Sequence, residues 1–506
     1  MELLVRDCIY IDNPPQNVVT WVCQMATFEN PDYISRMKMG AWTGNIPQYI
    51  YMYTYGSYAN GIPFIIFHRG LLRPLYDTFK SSIDITIRDE RIAPVTESFN
   101  VKGDKKLRSY QEEAVGIALK RAQGIIVSPA GSGKTVIGVE IARQANVKTI
   151  WFTHKKELIQ QTKERFMEYT DIAEERIGIY GDGKKEIKDI TIATVQTLTN
   201  MDSDTLDKFT STFGCIIVDE VHHAAADTWK IIGKFPAKYR IGLTATPVRG
   251  DGLTEVPRAV VGKEIYTVDR NLLVDDQCIL KSKMYYAVTN CTYPEAILYK
   301  LGRKVMNKMA FENLQQTNPE LAKKVVSHVD NPVLLRAMST DAKRNEILVK
   351  LADIACQTRD CLLVMTNLVY HTEHMAQLID ARLKQSKLDR PVFVFHAKSD
   401  FTIDKLEGLK QFVIVATFGK AEEGLDIPQL DALLLAAPMK GERRLIQTIG
   451  RIERNMIGKK SPIVYDVVDQ YDNVLVRQWN SRRNLYIKHN MEVDGMDIPE
   501  EYLNSI

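Results

Sequence analysis

The chain has 506 residues, well beyond the ~250–300 at which one hydrophobic core stops growing, so several domains are expected. Hydrophobic residues make up 45% and charged residues 25%, the balance of an ordinary globular protein, which excludes collagen-like, disordered and disulfide-framework classes. With 66 Lys and Arg against 63 Asp and Glu the net charge is only +3, so overall charge argues for no polyanionic partner, although a local groove can still be positive.

The seven cysteines, Cys8, Cys23, Cys215, Cys278, Cys291, Cys356 and Cys361, are scattered, odd in number and never spaced as Cys-x-x-Cys. They suggest neither disulfides nor structural zinc, and a reducing compartment fits. Glu2 and Asp7 stand where a secretory leader would be basic, and no stretch approaches ~18 uninterrupted apolar residues. The expectation is a soluble, intracellular, cytoplasmic protein without membrane contact, in the host cytoplasm if the source is a phage.

In chain order, residues 1–97 read as a separate accessory domain of α+β type, expected to bind DNA. Met39-Gly40-Ala41-Trp42-Thr43-Gly44 is a turn signal, and Tyr49-Ile50-Tyr51-Met52-Tyr53-Thr54-Tyr55 alternates strictly, which predicts a strand with four tyrosines on one face. Such rings could stack on bases, but a half-buried sheet face explains the same pattern. Through Lys80 the stretch has six Lys/Arg and six Asp/Glu, so it encodes no simple basic clamp. Arg91-Ile92-Ala93-Pro94 and the polar residues 100–106 predict a linker.

Gly124-Ile125-Ile126-Val127 is an apolar run of strand type, and residues 136–142 have helical spacing. Between them lies Ser128-Pro129-Ala130-Gly131-Ser132-Gly133-Lys134-Thr135. Glycines in such a loop let backbone N–H groups turn onto phosphate, the lysine reaches the β- and γ-phosphates and the threonine holds magnesium. Ser128 stands where the strict motif has its first glycine. A second buried run, Cys215-Ile216-Ile217-Val218, delivers Asp219-Glu220-Val221-His222 at its carboxyl end, where ligands of open parallel sheets bind. Asp219 would hold Mg²⁺ beside Thr135, and Glu220 would orient or deprotonate the attacking water. ATP and Mg²⁺ are the cofactors this pattern predicts. Glu186-Ile187-Lys188 has the Glu-x-Lys spacing of a nuclease but lacks a convincing partner carboxylate and reads as a solvated loop.

Residues 294–338 form a helical, Lys-containing excursion, either an arm over nucleic acid or a connector packed against a lobe. Cys361-Leu362-Leu363-Val364-Met365-Thr366, Val392-Phe393-Val394-Phe395-His396 and Phe412-Val413-Ile414-Val415-Ala416-Thr417 are further buried-strand signals, with helical segments at 345–355 and 371–383. None leads into a Gly-Lys-Thr loop, so one nucleotide per chain is expected. Glu423-Gly424-Leu425-Asp426-Ile427-Pro428 and Gln447-Thr448-Ile449-Gly450-Arg451-Ile452-Glu453-Arg454 follow. Three residues apart on one expected helical face, Arg451 and Arg454 could reach the same anion.

These motifs, together with Leu107-Arg108-Ser109-Tyr110-Gln111 and Leu243-Thr244-Ala245-Thr246-Pro247, resemble those of superfamily 2 helicases in the family's order, over about residues 105–470. The resemblance implies that Arg108 and Gln111 read the adenine, that Thr244 and Thr246 couple hydrolysis to lobe movement, and that Gly424 and Asp426 face the nucleotide. It makes Gln447, Arg451 and Arg454 the arginine-finger motif. It assigns a nucleic-acid track to His154, Thr194, Gln196 and Thr197 in the first lobe and Thr366, His396 and Thr417 in the second, on the opposite rim of the sheets. The Gly-x-Trp-x-Gly turn is similar to that of phage UvsW-type branch-migration helicases. Residues 244–252 resemble XPB-type helicases and depart from the Ser-Ala-Thr of RNA helicases, which favours DNA.

The fold expected is α/β: a small α+β domain at 1–97, then two RecA-like parallel-sheet lobes in tandem at 98–270 and 346–470. A connector with a helical insertion at 271–345 and a helical tail at 471–506 complete it. The expected activity is that of an ATP-dependent DNA helicase or translocase acting as a monomer on forked or junction DNA, in recombination, repair or replication restart. The motor of a restriction-type nuclease and a non-catalytic DNA-binding scaffold are the alternatives.

Overall fold

The computed structural model describes residues 1–495 apart from 104, 130, 155, 182, 200, 222–225, 247–252, 302–303, 307 and 426. It divides into two compact units, residues 1–269 and 270–506.

The first unit opens with a five-stranded sheet in the order Tyr53–Ser57, Pro63–His68, Cys8–Asp12, Glu2–Val5, Thr86–Asp89, antiparallel except for its last pair. Alternation sends Leu3, Val5, Ile9, Ile11, Ile65 and Phe67 into the core. The aromatic run departs from the single strand expected of it. It splits into Tyr49–Tyr51, paired with Thr27–Glu29, and Tyr53–Ser57, paired with Pro63–His68. Between them Met52 is buried and donates its N–H to the Ala26 carbonyl at 2.8 Å, so the chain changes partners there. Tyr49, Tyr51 and Tyr55 are exposed, Tyr53 packs against the core, and Trp42 stands 82% exposed.

The second sheet of this unit has eight strands in the order Lys184–Lys185, Ile177–Gly181, Ile190–Thr194, Thr149–Thr153, Cys215–Asp219, Tyr239–Thr244, Gln123–Val127, Glu264–Thr267. All pairs are parallel except the two-residue edge strand. Helices cover both faces of such a sheet, which is why its strands read as unbroken apolar runs.

One hydrophobic cluster joins the two sheets, from Leu3 and Phe67 to Phe235 and Val260. Arg69 and Arg240 lie wholly buried in it. Arg69 Nη1 donates to the Ala237 carbonyl at 2.7 Å and that of Arg6 at 3.0 Å. Arg240 donates to the carbonyls of Phe235 at 2.7 Å, Val260 at 2.9 Å and Asp7 at 3.0 Å. A buried charge is tolerated only when hydrogen-bonded, and here the acceptors are backbone carbonyls of the segments that connect the elements: the turn at Arg6 and Asp7, the stretch at Phe235 and Ala237, and the helix end at Val260. At Gly70 a Cβ would stand 2.1 Å from the Arg258 carbonyl, so only glycine permits the approach. The expected linker is pinned as well, with Ile92 bridged to Ala237 and Val95 to Val147.

The second unit is a seven-stranded, fully parallel sheet in the order Val392–Phe395, Phe412–Thr417, Cys361–Thr366, Ala432–Leu435, Ile463–Asp469, Lys283–Thr289, Glu492–Gly495. It takes in a strand from the stretch expected as connector and another from the expected tail. Helices Ala342–Thr358 and Val369–Gln385 stand where their spacing places them. The 294–338 excursion is not purely helical: Lys304–Met306, Ile297–Leu301 and Val326–Val329 form an antiparallel sheet beside helices Lys308–Thr317, Pro319–Ala322 and Asn331–Thr340. The α/β class and the two parallel-sheet lobes are as expected. No helix among the described residues is long and apolar enough to cross a membrane.

Candidate active site

Three motifs meet because their strands are neighbours. Gln123–Val127, Tyr239–Thr244 and Cys215–Asp219 run side by side in register, with Val127 opposite Thr244 and Leu243 opposite Asp219. The phosphate loop, the Thr244 turn and the carboxylate pair therefore emerge together at the carboxyl edge of the sheet, the side on which open parallel sheets bind ligands.

The loop turns on Gly131 (φ +83°) and Gly133 (φ +78°) and feeds helix Lys134–Ala145, whose first N–H groups have no partner within the helix. A Cβ at Gly133 would lie 2.6 Å from Gln111 Nε2. Ser128 is wholly buried: its N–H donates to the Thr244 carbonyl at 2.8 Å and its hydroxyl meets that of Ser132 at 2.5 Å, so the departure from glycine supplies a brace. Ser132 Oγ also donates to the Pro129 carbonyl. Thr135, second in the helix, is half-buried, and Ala130 lies outside the described residues.

Lys134 Nζ donates to Glu220 Oε1 at 2.7 Å, both side chains being largely buried. Glu220 has φ +47°, rare for a residue with a side chain, and its N–H bonds Asp219 Oδ1 at 3.0 Å. Burial and, next, the neighbouring Glu220 carboxylate push the Asp219 carboxyl up to about 7, against the pull of Lys134. A divalent cation is what would keep such a group ionised, so the pair suits Mg²⁺, and the glycine-turned loop at a helix N-terminus suits a polyphosphate.

Gln111 is buried, its amide occupied on both sides: Oε1 accepts from Arg108 N at 3.0 Å and Nε2 donates to the Ser132 carbonyl at 3.0 Å. Tyr110, which sequence reasoning passed over, donates its hydroxyl to the same carbonyl at 2.9 Å. Its only signal was its place at the start of helix Ser109–Arg121.

The proposed track residues are corrected in position. Thr153 and Thr194 end strands parallel to Cys215–Asp219, so His154, Thr194, Gln196 and Thr197 lie along the same carboxyl edge as the phosphate loop, displaced sideways rather than on an opposite rim. Gln196 is exposed, His154 and Thr197 are half-buried, and Thr194 is buried with its hydroxyl 2.9 Å from that of Thr197. In the second unit Thr366 pairs with Thr417 and Phe395 with Ala416, which brings Thr366, His396 and Thr417 together at one edge. Thr366 is wholly buried with its hydroxyl against Thr372 and the Ala416 carbonyl. His396 is buried with Nε2 3.2 Å from Glu373, which leaves Thr417, at the cap of helix Phe418–Gly424, half-exposed.

Gln447 and Arg451 lie one turn apart on helix Glu442–Ile452. The helix ends before Arg454, which bridges Ile279 instead, so the two arginines do not share a helical face. Arg451 donates to the carbonyls of Leu425 and, at 3.0 Å, Glu422. Gly424 closes the helix whose end those carbonyls form, and Asp426 lies outside the described residues.

Residues 104–249 match the family described as type III restriction enzyme, res subunit. The DNA 3'-5' translocase XPB2 of Sulfurisphaera tokodaii is 28% identical over 70% of this chain and 80% of its own length. The resemblance is to superfamily 2 helicases. Of three further curated helicases this chain spans 54 to 66% of the length, and one of them carries the name of an RNA helicase. Among solved structures, the type ISP restriction-modification enzyme LlaBIII shares the fold, with a TM-score of 0.53 and 14% identity over 83% of this chain and 34% of that one. UvsW of bacteriophage T4 aligns with 98% of this chain and 99% of its own at 18% identity, with a TM-score of 0.41.

Proposed function

We propose that the chain is an ATP hydrolase acting on nucleic acid, a DNA helicase or translocase of the XPB-like kind. The observation that carries this reading is that three neighbouring strand ends and the loops after them bring Lys134, Asp219, Glu220 and Thr244 to one edge of the sheet, with the lysine already paired to Glu220. Mg²⁺ held at Thr135 and Asp219 would neutralise the phosphates, which is the chemistry this group supplies. Lys134 releases Glu220 when it turns to phosphate, freeing the carboxylate to orient water. Arg451 and Arg454 are the groups proposed to stabilise the transferred phosphoryl. Movement is proposed to run 3′ to 5′, as the name of the XPB2 relative has it for that protein.

The finer reading, unwinding or branch migration of forked and junction DNA, rests on the extra sheet before the motor and its exposed rings. ATPase rates with single strands, duplex, fork, four-way junction and RNA, compared side by side, test it. Greater stimulation by RNA than by any DNA would overturn the DNA assignment. A second reading, the motor of a restriction nuclease, is favoured by the family matched at 104–249. Plasmid cleavage in Mg²⁺ and ATP would establish it.

A further inference from the structure

The chain enters its second unit at Arg270, through helix Arg270–Asp275 and a segment that leads into strand Lys283–Thr289. This entry segment is fastened to the end of the arginine helix. Glu453, which caps that helix and directly precedes Arg454, is wholly buried. Its Oε1 takes the Arg270 guanidinium and the buried Ser282 hydroxyl, and its carbonyl accepts from Leu280 N at 2.7 Å. On one side Ile279 bridges Arg454, and Asn455 Nδ2 donates to the Gln277 carbonyl at 2.6 Å. A glutamate in Arg-x-Glu-Arg looks like a surface ion-pairing residue, and a solvated one would need no such partners. Buried, it must be paired, and both of its side-chain partners belong to the entry segment.

We propose that Glu453 is a positioning residue for ATP hydrolysis: it ties the segment by which the chain enters the second unit to the helix end that carries Arg451 and Arg454, and so fixes where both guanidinium groups stand. The inference rests on the finger reading of those arginines given above. Wholly buried, Glu453 acts through its neighbours rather than on the nucleotide. It sits in the backbone from which the two arginines project, so a shift of the entry segment is transmitted to them through the Arg270 ion pair, the Ser282 hydroxyl and the Leu280 backbone hydrogen bond.

The test uses the full chain with Glu453→Gln, which keeps size and a hydrogen bond to Ser282 but removes the charge that Arg270 holds. With the fold verified by thermal melting, kcat of nucleic-acid-stimulated hydrolysis is expected to fall by roughly 10- to 100-fold, while KM for ATP and affinity for DNA stay unchanged. Adding Glu453→Gln to a chain that already carries Arg451→Ala and Arg454→Ala should cost nothing further, because the glutamate acts through the two arginines. Unchanged kcat in the folded single variant, or a further loss when Glu453→Gln is added to the double arginine variant, would overturn the proposal. Arg451→Ala alone separates the two ideas: full kcat there removes the finger reading itself. If Glu453→Gln does not fold, Arg270→Lys and Ser282→Ala decide, each expected to lower kcat at constant KM; both at wild-type kcat would refute the tie.

Discussion

Lys134 and Glu220 are 86 residues apart in sequence and 2.7 Å apart in space, an ion pair that joins the phosphate loop to the strand end beside it. The pair occupies each partner with the other until phosphate competes for the lysine. Lys134→Ala is therefore expected to lower stimulated ATPase by at least roughly 100-fold. DNA affinity should stay within about threefold, since the track residues sit on neighbouring strands and not on the loop. Filter binding beside a phosphate-release assay checks both; retained turnover removes the site.

Arg451→Ala should reduce kcat by about 1000-fold and leave KM for ATP nearly unaltered, the pattern of an interaction made mainly in the transition state. Steady-state kinetics at saturating DNA decide it. A change confined to KM means that Arg451 binds ground-state nucleotide or only caps helix Phe418–Gly424, whose carbonyls it now holds.

Burial, and next the nearby Arg240 guanidinium, drive the His68 imidazole down to about 3. Its ring sits against Gly233, where a Cβ would stand 2.2 Å from it, and against the Cys8 sulfur at 3.6 Å. In the unfolded chain it titrates near 6.5, so below that value the unfolded chain takes a proton the folded one refuses. Stability from this residue is thus complete above pH 7 and is lost at about 1.4 kcal/mol per pH unit below 6.5. His371, also driven down to about 3 by burial, adds the same slope in the second unit. Denaturant melts at pH 7.5 and 5.5 on the wild type and on His68→Gln should differ in that slope; equal slopes mean His68 is not held neutral.

The contribution of the first sheet cannot be tested by cutting it off. Removal of residues 1–95 strips Arg240 of an acceptor and uncovers Phe235, Ala237 and Val260, so the remainder is expected to aggregate. Arg240→Ala should already cost about 3 kcal/mol, read from denaturant midpoints. The cleaner probe of junction selectivity is Trp42→Ala with Tyr51→Ala, both exposed. Melting should be unchanged and affinity for forked DNA about tenfold lower, linear duplex being unaffected. Equal affinity for the fork would sink the idea that these rings grip DNA.

The parts legible in sequence are those written as runs. Buried parallel strands are continuous apolar stretches, and the loops at their carboxyl ends carry chemistry, so Lys134, Asp219 and Thr244 can be placed from the order of residues alone. Single residues are not legible in this way. Arg69 and Arg240 look like any surface arginine until the sheet that buries them is present, and Glu453 looks like half of a solvated pair. Alternation from Tyr49 to Tyr55 carries no sign of the break, because Met52 fits the pattern and only its hydrogen bond to Ala26 ends the strand. The side-by-side arrangement of loop and track also lies outside the sequence, since strand order is set by the crossovers between strands.

Strand Lys283–Thr289 lies between Ile463–Asp469 and Glu492–Gly495, and Thr289 Oγ1 reaches Asp469 across 180 residues of chain. A ribosome adding about 5–20 residues per second would finish this early strand roughly 10 to 40 s before its first neighbour exists. For that interval both of its edges are open to pairing with whatever strand is nearest, including that of another nascent copy. Yield in a cell should therefore depend on chaperone supply and growth temperature more for the second unit than for the first, where strand Gln123–Val127 waits for Tyr239–Thr244 over a shorter stretch of chain.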